Sequence, residues 1–336
     1  MLIILLALAV HSVAADASGV DAANILPPIT ARPQPQQTTI SNGSIPDYVV
    51  KYAPLVWLHS EEKYFPGDVC EYCQHFDIFD KNDKSTKFNG NIADLGKYHG
   101  DEFTMVATEE WTESSWIYGN KPEKEGYCEA PATLIVVDKG NGWIDAFWFY
   151  FYPFNLGPKV LSKGPIGNHL GDWEYTMVRF YDGRPRVTWL SCHESGSWWL
   201  YHDLQHQDSR AVVYSAVGTH ANYASAGTQQ RDPTGSLVDI TDKGTLWDPA
   251  ANYLAYTFDG EAFYGVSERE SAYGSWLTFS GRWGNRRLPR WDRRQRRYGP
   301  KLWRYVDGPQ GPLMKGLIRV SPSHDDYPRW WKFWHI

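Results

Sequence analysis

The chain has 336 residues, of which 42% are hydrophobic and 15% aromatic, and its formal net charge is −6. This composition is ample for a packed core and excludes a chain that is disordered throughout. The 17 Trp, 21 Tyr, 29 Gly and 21 Pro favour strands and turns over a bundle of helices. We therefore predict an all-β fold, either an antiparallel two-sheet sandwich or a jelly-roll-like domain, with long loops and little helix.

The amino terminus resembles a secretory signal. Residues 1–17 begin with an apolar run that is too short to span a bilayer and end in small residues suited to cleavage. We expect the chain to enter the secretory pathway and to reach the vacuole or the cell exterior. No later stretch approaches the length of a transmembrane helix, so we expect no transmembrane segment.

A leader is predicted to precede the folded domain. Residues 18–45 are rich in Pro and Gln and bury too little surface to fold, so we expect them to be disordered. Asn42 lies in this leader, in an Asn-Gly-Ser glycosylation sequon. The domain is expected over residues 46–320, followed by an aromatic tail at 321–336. A short helix should begin near Pro46 and end before Pro54, because the residue before a proline disfavours helical backbone.

Four cysteines follow, and a secreted chain favours disulfides over free thiols. They are Cys70, Cys73, Cys128 and Cys192. A single Cys-x-x-Cys is a weak signal for a zinc or redox site, so structural bridges are expected, with three pairings open. Pairing Cys128 with Cys192 would tie the central hairpin to a later strand, and pairing Cys70 with Cys73 would be less relaxed. A nucleophilic pair of Cys192 and His193 is disfavoured, because adjacent strand residues point to opposite faces.

A β-hairpin is the clearest structural pattern in the chain. Residues 70–130 are polar and rich in turn residues, which predicts loops and short edge strands. Residues 132–137 and 143–152 then form two strand patterns around a Gly-rich loop. The second strand is apolar or aromatic on both faces except at Asp145, so it should be a central strand buried between layers. We interpret this aromatic run as core packing rather than as a sugar-binding strip.

The candidate site begins at residues 167–174, where polar side chains lead into a strand. The β-branched and aromatic run from Trp173 to Phe180 predicts an extended strand, so Asp172 and Glu174 share one face, about 6.6 Å apart. His169 lies just upstream. Unpaired buried charge is costly, so this cluster requires a cation, a proton or an arginine.

Two later strands, predicted at 186–194 and 211–223, end near His193 and His220. If neighbouring antiparallel strands bring their ends to one rim, these histidines converge on the acids. The expected ligand is a divalent ion such as Zn, Mn or Ca. The predicted metal ligands are His169, Asp172, Glu174 and His220. The predicted catalytic residues of an alternative acid/base site are Glu174, Asp172 and His193.

A purely structural network remains equally open. In that interpretation the acids accept hydrogen bonds from backbone amides or from Arg179 or Arg186, and the histidines donate to carbonyls.

Several motifs taken together resemble one family. They are YAPLVWLHSE at 52–61, YFPGD at 64–68, NHLGDWE at 168–174, VYSAVGTHANY at 213–223, GRWG at 281–284 and GPQGP at 308–312. Over roughly residues 48–315 the chain resembles the fungal vacuolar protein sorting-associated protein 62 family. The resemblance implies a role in delivering proteins to the vacuole and implies no particular molecular activity. The alternative is a secreted hydrolase or lyase that acts on a polysaccharide or small extracellular substrate.

An Arg-rich insertion spans residues 286–304. It holds eight arginines and Lys301 against the single acid Asp292, a local charge of +8, which leaves −14 on the rest of the chain. Interleaved aromatic residues are also typical of nucleic-acid binding, but a secreted protein seldom meets nucleic acid. We expect this segment to pair with the acidic remainder of the chain or to contact glycan, cell wall or another anionic surface such as lipid headgroups, and we expect no nucleic acid.

Overall fold

The computed structural model describes residues 40–160, 163–232 and 235–322. The predicted signal peptide and nearly all of the aromatic tail lie outside these residues. Of the predicted leader, the structure describes only residues 40–45. Ile40 donates its N–H to the Asp138 carboxylate at 2.8 Å, and Gly43 donates to the Thr257 hydroxyl at 2.7 Å. Residues 40–45 therefore belong to the folded domain, with Asn42 of the sequon exposed.

Strands dominate the described residues. They are β1 (Leu55–Leu58), β2 (Phe76–Phe79), β3 (Thr104–Ala107), β4 (Ala132–Gly140), β5 (Trp143–Asn155), β6 (His169–Tyr181), β7 (Arg184–Cys192), β8 (Ser195–Leu200), β9 (His206–Gln207), β10 (Arg210–Ser215), β11 (Asn222–Tyr223), β12 (Gly227–Gln230), β13 (Val238–Thr241), β14 (Thr245–Trp247), β15 (Tyr253–Phe258) and β16 (Phe263–Gly265).

The helices are short. The α-helices are α1 (Asp47–Lys51), α2 (Val69–Cys73) and α3 (Glu268–Ala272), and the 3-10 helices are Ile92–Lys97, Ser115–Tyr118, Tyr201–Asp203, Pro249–Ala251, Trp276–Thr278 and Pro312–Lys315. α1 lies where a helix ending before Pro54 was predicted. Within the described part of the chain, none of the helices is long and apolar enough to cross a membrane.

Two sheets form the sandwich, and the predicted all-β class is confirmed. The larger sheet has seven strands in the order β16-β15-β4-β5-β6-β7-β8. The second has β11, β10, β1 and β14 in that order, with β9 paired to β10. Most pairs are antiparallel, and the exceptions are β1 with β10 and β4 with β15. β2 with β3 and β12 with β13 form two small ladders.

Tight turns join the long central strands. β4 turns into β5 through Asn141 and Gly142, and β6 turns into β7 through Asp182 and Gly183. All four residues have positive φ, between 47° and 82°. Asn-Gly and Asp-Gly favour such turns, whose twist matches that of the flanking strands. These turns fix the β4-β5 and β6-β7 hairpins, and β5 pairs with β6, which carries the two acids of the candidate site.

The large sheet is buried on both faces. Every residue of β5 is buried, as predicted for a central strand. Even-numbered residues such as Trp148 and Tyr150 pack against Val56 and Val213 of the second sheet. The odd-numbered face packs against α2, the β2-β3 ladder and the C-terminal loops. Side chains at even positions of β6 therefore point into the space between the two sheets.

The predicted disulfides are not formed, and all four cysteines, which lie among the described residues, are free. Cys70 and Cys73 lie on the single turn of α2. The Cys128 thiol donates to the Asn120 carbonyl at 3.1 Å. The Cys192 thiol instead lies 3.2 Å from the hydroxyl of Tyr223. Cys192 therefore makes a hydrogen bond to the second sheet and not the predicted disulfide with Cys128.

Candidate functional site

Asp172 and Glu174 face the second sheet from β6. Their partners on β5 are Tyr152 and Tyr150. Asp172 is 7% exposed and Glu174 is 2% exposed. The prediction that the two acids share a strand face therefore matches the register, and both carboxyl groups lie in the interior of the sandwich. Burial makes their charge costly unless it is compensated.

His220 reaches Asp172 from the opposite sheet. It lies in the turn between β10 and β11, with a positive φ of 56°. Its Nδ1 is 2.9 Å from Asp172 Oδ2 and its Nε2 is 3.0 Å from the carbonyl oxygen of Tyr64. Its ring stacks on Tyr152 with centroids 3.8 Å apart. The two residues do meet, but across the interior between sheets, because β10 is not a neighbour of β6 in one sheet as the sequence had suggested.

Asp172 and His220 form an ion pair. Both ring nitrogens of His220 face acceptors, and Glu62 Oε2 lies 3.9 Å from Nε2. Burial lowers the pKa of His220, but the hydrogen bond to Asp172 and the charge of Glu62 outweigh it, so the pKa is raised. Burial likewise raises the pKa of Asp172, but the hydrogen bond from His220 and the charge of that imidazolium leave it lowered. When both ring nitrogens of His220 donate hydrogen bonds, neither keeps a lone pair that could bind a metal.

Glu174 is the uncompensated member of the cluster. It accepts hydrogen bonds from the Ser191 hydroxyl and, at 2.9 Å, from the N–H of His193. Burial and the negative charge of Asp172 raise its pKa to about 8. Lys315 acts on both acids only at a distance, since it makes no ion pair with either. Glu174 therefore holds a proton at neutral pH.

His169 lies half-buried at the first residue of β6. Its Nδ1 is 2.9 Å from the Gly171 carbonyl, so Nδ1 carries the proton and Nε2 keeps its lone pair. Burial lowers the pKa of His169, although the nearby Asp172 opposes this. A neutral imidazole next to two buried carboxyl groups has the protonation state that a metal ligand requires.

His193 belongs to a second group of side chains. A φ of 58° turns it out of β7, and its Nε2 lies 2.9 Å from Asp239 Oδ2. Among the described residues, one group of potential metal ligands has its binding atoms all within 4.8 Å of one another, and it consists of Cys192, His193 and Asp239. Asp239 was not predicted, because it lies on an ordinary alternating strand, β13. The binding atoms of the four predicted metal ligands do not all lie that close to one another.

The turn at His193 also revises the geometry of Cys192. The two residues were expected to point to opposite faces, but His193 is no longer in the strand. Burial raises the pKa of Cys192 to about 12, which disfavours a free, nucleophilic thiolate at neutral pH.

The arginines proposed for a structural network lie elsewhere. Arg179 pairs with Asp145 at 2.7 Å, with both side chains fully buried. Arg186 lies over the ring of Tyr181 at 5.7 Å. Neither contacts Asp172 or Glu174, whose partners are a histidine, a serine and a backbone amide.

Two surface grooves lie away from the acidic cluster. One, of about 250 Å³, is lined by residues of α2 together with Trp116 and Pro153. The other, of about 410 Å³, lies beside Trp57, Tyr214 and Lys243 on the second sheet. Neither groove is lined by Asp172, Glu174 or His220, so the buried acids do not face these concave surfaces.

The Arg-rich insertion pairs partly with the rest of the domain. Arg286 forms an ion pair with Asp83 at 2.6 Å, and Arg294 pairs with Glu110 at 2.8 Å. Trp291 is 84% exposed. Binding of a glycan, cell wall or anionic surface by this insertion stays a prediction.

Comparison with known proteins gives consistent sequence matches. The family described as vacuolar protein sorting-associated protein 62 matches residues 33–294. A Saccharomyces cerevisiae protein with the provisional name vacuolar protein sorting-associated protein TDA6 is 44% identical over 354 residues, covering 92% of this chain and 75% of that protein. Vacuolar protein sorting-associated protein 62 of the same organism is 39% identical over 329 residues, covering 87% of this chain and 70% of that protein.

Solved structures give weaker matches. Necrosis and Ethylene inducing Protein 2, from the causal agent of cocoa's Witches Broom disease, is 12% identical with a TM-score of 0.31, covering 70% of this chain and 82% of that chain. NLPPya in complex with mannosamine is 10% identical with a TM-score of 0.30, covering 68% of this chain and 81% of that chain. At these scores the likeness supports no conclusion about the site.

Proposed function

Because this chain belongs to the vacuolar protein sorting-associated protein 62 family, we propose that it acts in delivery of proteins to the vacuole as a non-catalytic binding module that depends on a divalent cation. The family name supports the delivery role, and a route through the secretory pathway to the vacuole accords with it. The cation is held by the acidic cluster between the two sheets.

The charge balance of the cluster carries this proposal. Glu62, Asp172 and Glu174 are all buried, and one imidazolium, His220, lies among them. Among the described residues, none of the three carboxyl groups makes an ion pair with Lys or Arg. Buried carboxylates require compensating charge, and Glu174 obtains it by retaining a proton. A divalent cation would supply that charge directly and displace the proton.

The donor set favours a hard cation. Asp172 and Glu174 offer oxygens, and His169 offers a neutral ring nitrogen. His220 serves as the charged partner of Asp172 and not as a ligand. The ligand atoms are too dispersed for four direct bonds to a tetrahedral zinc ion. Ca²⁺, Mg²⁺ and Mn²⁺ accept carboxylate oxygens and keep bound water, so they fit a wider site.

Burial of the acids disfavours the hydrolase alternative. A general acid must come within about 3 Å of the group that it protonates. Glu174 is 2% exposed and lines neither described groove. The raised pKa of Glu174 suits a general acid, but it also follows from burial beside Asp172 alone.

Cation binding can be measured directly. The purified chain is freed of metal with a chelator and titrated by calorimetry with Ca²⁺, Mg²⁺ and Mn²⁺. We expect saturable binding of one equivalent of at least one of these ions, with a rise in melting temperature that the chelator reverses. Asp172→Asn should abolish binding, whereas Asp94→Asn, which alters a surface acid paired with Lys97, should not. Absence of saturable binding by all three ions would refute the cation site.

The delivery role needs a cellular test. Yeast cells lacking both similar proteins would be supplied with this chain or with the Asp172→Asn variant, and secretion of a vacuolar hydrolase precursor would be measured. Reduced missorting with the parent chain but not with the variant would support the proposal. Equal missorting with and without the parent chain would contradict the delivery role while leaving the cation site intact.

A further inference from the structure

A second cluster of metal-binding side chains lies beside the acidic one. The geometry points to a separate site for a zinc-like transition ion, formed by Cys192, His193 and Asp239. Their ligand atoms lie within 4.8 Å of one another. Asp239 is buried, while Cys192 and His193 are half-buried, so the group is within reach of solvent.

Three chain segments bring these ligands together. Cys192 is the last residue of β7, His193 begins the following turn, and Asp239 lies on β13. His193 has a positive φ of 58°, a conformation that residues with a side chain seldom adopt. That conformation directs its ring to Asp239, with Nε2 2.9 Å from Oδ2. The last strand residue, Cys192, and the first turn residue, His193, thereby face the same carboxylate, which a continuous strand would not allow.

The chemistry of the donors separates this site from the acidic cluster. Thiolate, imidazole and carboxylate are all zinc ligands, whereas the acidic cluster offers two carboxyl groups and one imidazole but no sulfur. A soft sulfur donor therefore selects a borderline transition ion over the hard cations proposed for Asp172 and Glu174. With three protein ligands, water can fill the fourth position.

Neighbouring residues already orient the carboxylate. Thr219 donates its hydroxyl to Asp239 Oδ1 at 3.0 Å, and Tyr223 donates to Oδ2 at 2.7 Å. Such partners hold metal ligands in place and commonly change metal affinity 10–100-fold when they are removed. Arg231, with its Nε 3.5 Å from Asp239 Oδ2, supplies positive charge when no ion is bound. The bound ion replaces that charge.

Binding follows a balanced exchange. The Cys192 thiol would release its proton to solvent as the sulfur–metal bond forms, and the sulfur–metal bond would replace its 3.2 Å contact with the Tyr223 hydroxyl. A neutral His193 contributes a ring nitrogen and Asp239 one carboxylate oxygen. No electron is transferred, and the released proton makes affinity rise with pH.

Cobalt provides a direct spectroscopic test. The metal-free chain is titrated with Co²⁺, and a thiolate-to-cobalt charge-transfer band is followed together with the visible bands of tetrahedral cobalt. We expect saturation at one equivalent and displacement by Zn²⁺. Cys192→Ser should remove the charge-transfer band, and Asp239→Asn should weaken binding at least about 10-fold. Cys128→Ser is the matched control, because Cys128 is a buried free thiol outside the group, and it should leave the titration unchanged.

Two outcomes would overturn the site. One is the absence of a charge-transfer band in the parent chain, and the other is its persistence in Cys192→Ser. If Cys192→Ser does not fold, X-ray absorption of the zinc-loaded parent tests the site instead. The zinc ion should have one sulfur neighbour at about 2.3 Å, and its absence would overturn the site. The Asp172→Asn variant distinguishes the two sites, since it should abolish binding of Ca²⁺ or Mg²⁺ at the acidic cluster and leave the cobalt spectrum unchanged.

Discussion

Replacing Glu174 with Gln should change how stability depends on pH. The pKa of Glu174 is raised from 4.5 to about 8, so the folded chain binds its proton more tightly than the unfolded chain does. Stability therefore falls as pH rises from 4.5 through about 8. At about 1.4 kcal/mol for each pH unit across that interval, the parent loses up to about 5 kcal/mol by pH 8.5. Gln resembles the protonated acid and cannot lose a proton, so the variant avoids this loss.

The comparison isolates one group, because all other titrating residues are shared. His220, whose pKa is also raised, loses stabilising charge above its folded pKa in both proteins. Melting temperatures measured in chelator from pH 5 to pH 8.5 should differ least at pH 5. At pH 8.5 the parent should melt up to about 10 °C lower than Glu174→Gln, at about 2 °C for each kcal/mol in a domain of this size.

A bound cation should reverse this trend in the parent. Calcium or magnesium takes the place of the proton, so either ion should raise the melting temperature of the parent more at pH 8.5 than at pH 5. Parallel pH profiles for the parent and Glu174→Gln in chelator would refute the account of the buried acid.

Three other variants test the fold and its surface. Arg179→Met should destabilise the chain by about 3–5 kcal/mol in urea unfolding, because Asp145 is left buried without its bidentate partner; a loss below about 1 kcal/mol would contradict this. Gly171→Ala should cost more than Gly167→Ala in thermal melts, since both positions have positive φ but only the added methyl at 171 would meet the carbonyl of a facing loop; equal costs would show that backbone strain alone matters. Trp291→Ala should leave the melting temperature unchanged and weaken retention on an anionic polysaccharide matrix, given its 84% exposure; unchanged retention would exclude Trp291 from that surface.

Local patterns predicted much of the large sheet. Alternation placed Asp172 and Glu174 on one face of β6, and the continuous aromatic run identified β5 as a central strand. Both inferences use only the period of a strand and the composition of its faces. Each strand's side-chain direction is therefore readable from its own residues.

Long-range pairing was not readable in this way. His220 was expected near Asp172 as a neighbour in one sheet, but β10 pairs in parallel with β1 and approaches across the interior. The positive φ of His193, which joins it to Asp239, was not predicted, because the strand pattern continues through this position and histidine adopts that conformation in only a minority of cases. The expected disulfides failed for a similar reason, since cysteine count does not specify which thiols approach.

The position of β1 sets an order for assembly. β1 comes first in the chain but lies in the middle of the second sheet, where Leu55 pairs with Val212 and Val56 with Trp247. During synthesis β1 has no strand partner until β10 has been made, and the sheet is not closed until β14 follows. Pairing over such separations is slow, and it exposes an apolar strand in the meantime. The first strand of this chain therefore stays without a strand partner until at least residue 215 has been made, and a fragment that starts after β1 would leave β10 and β14 without the strand that joins them.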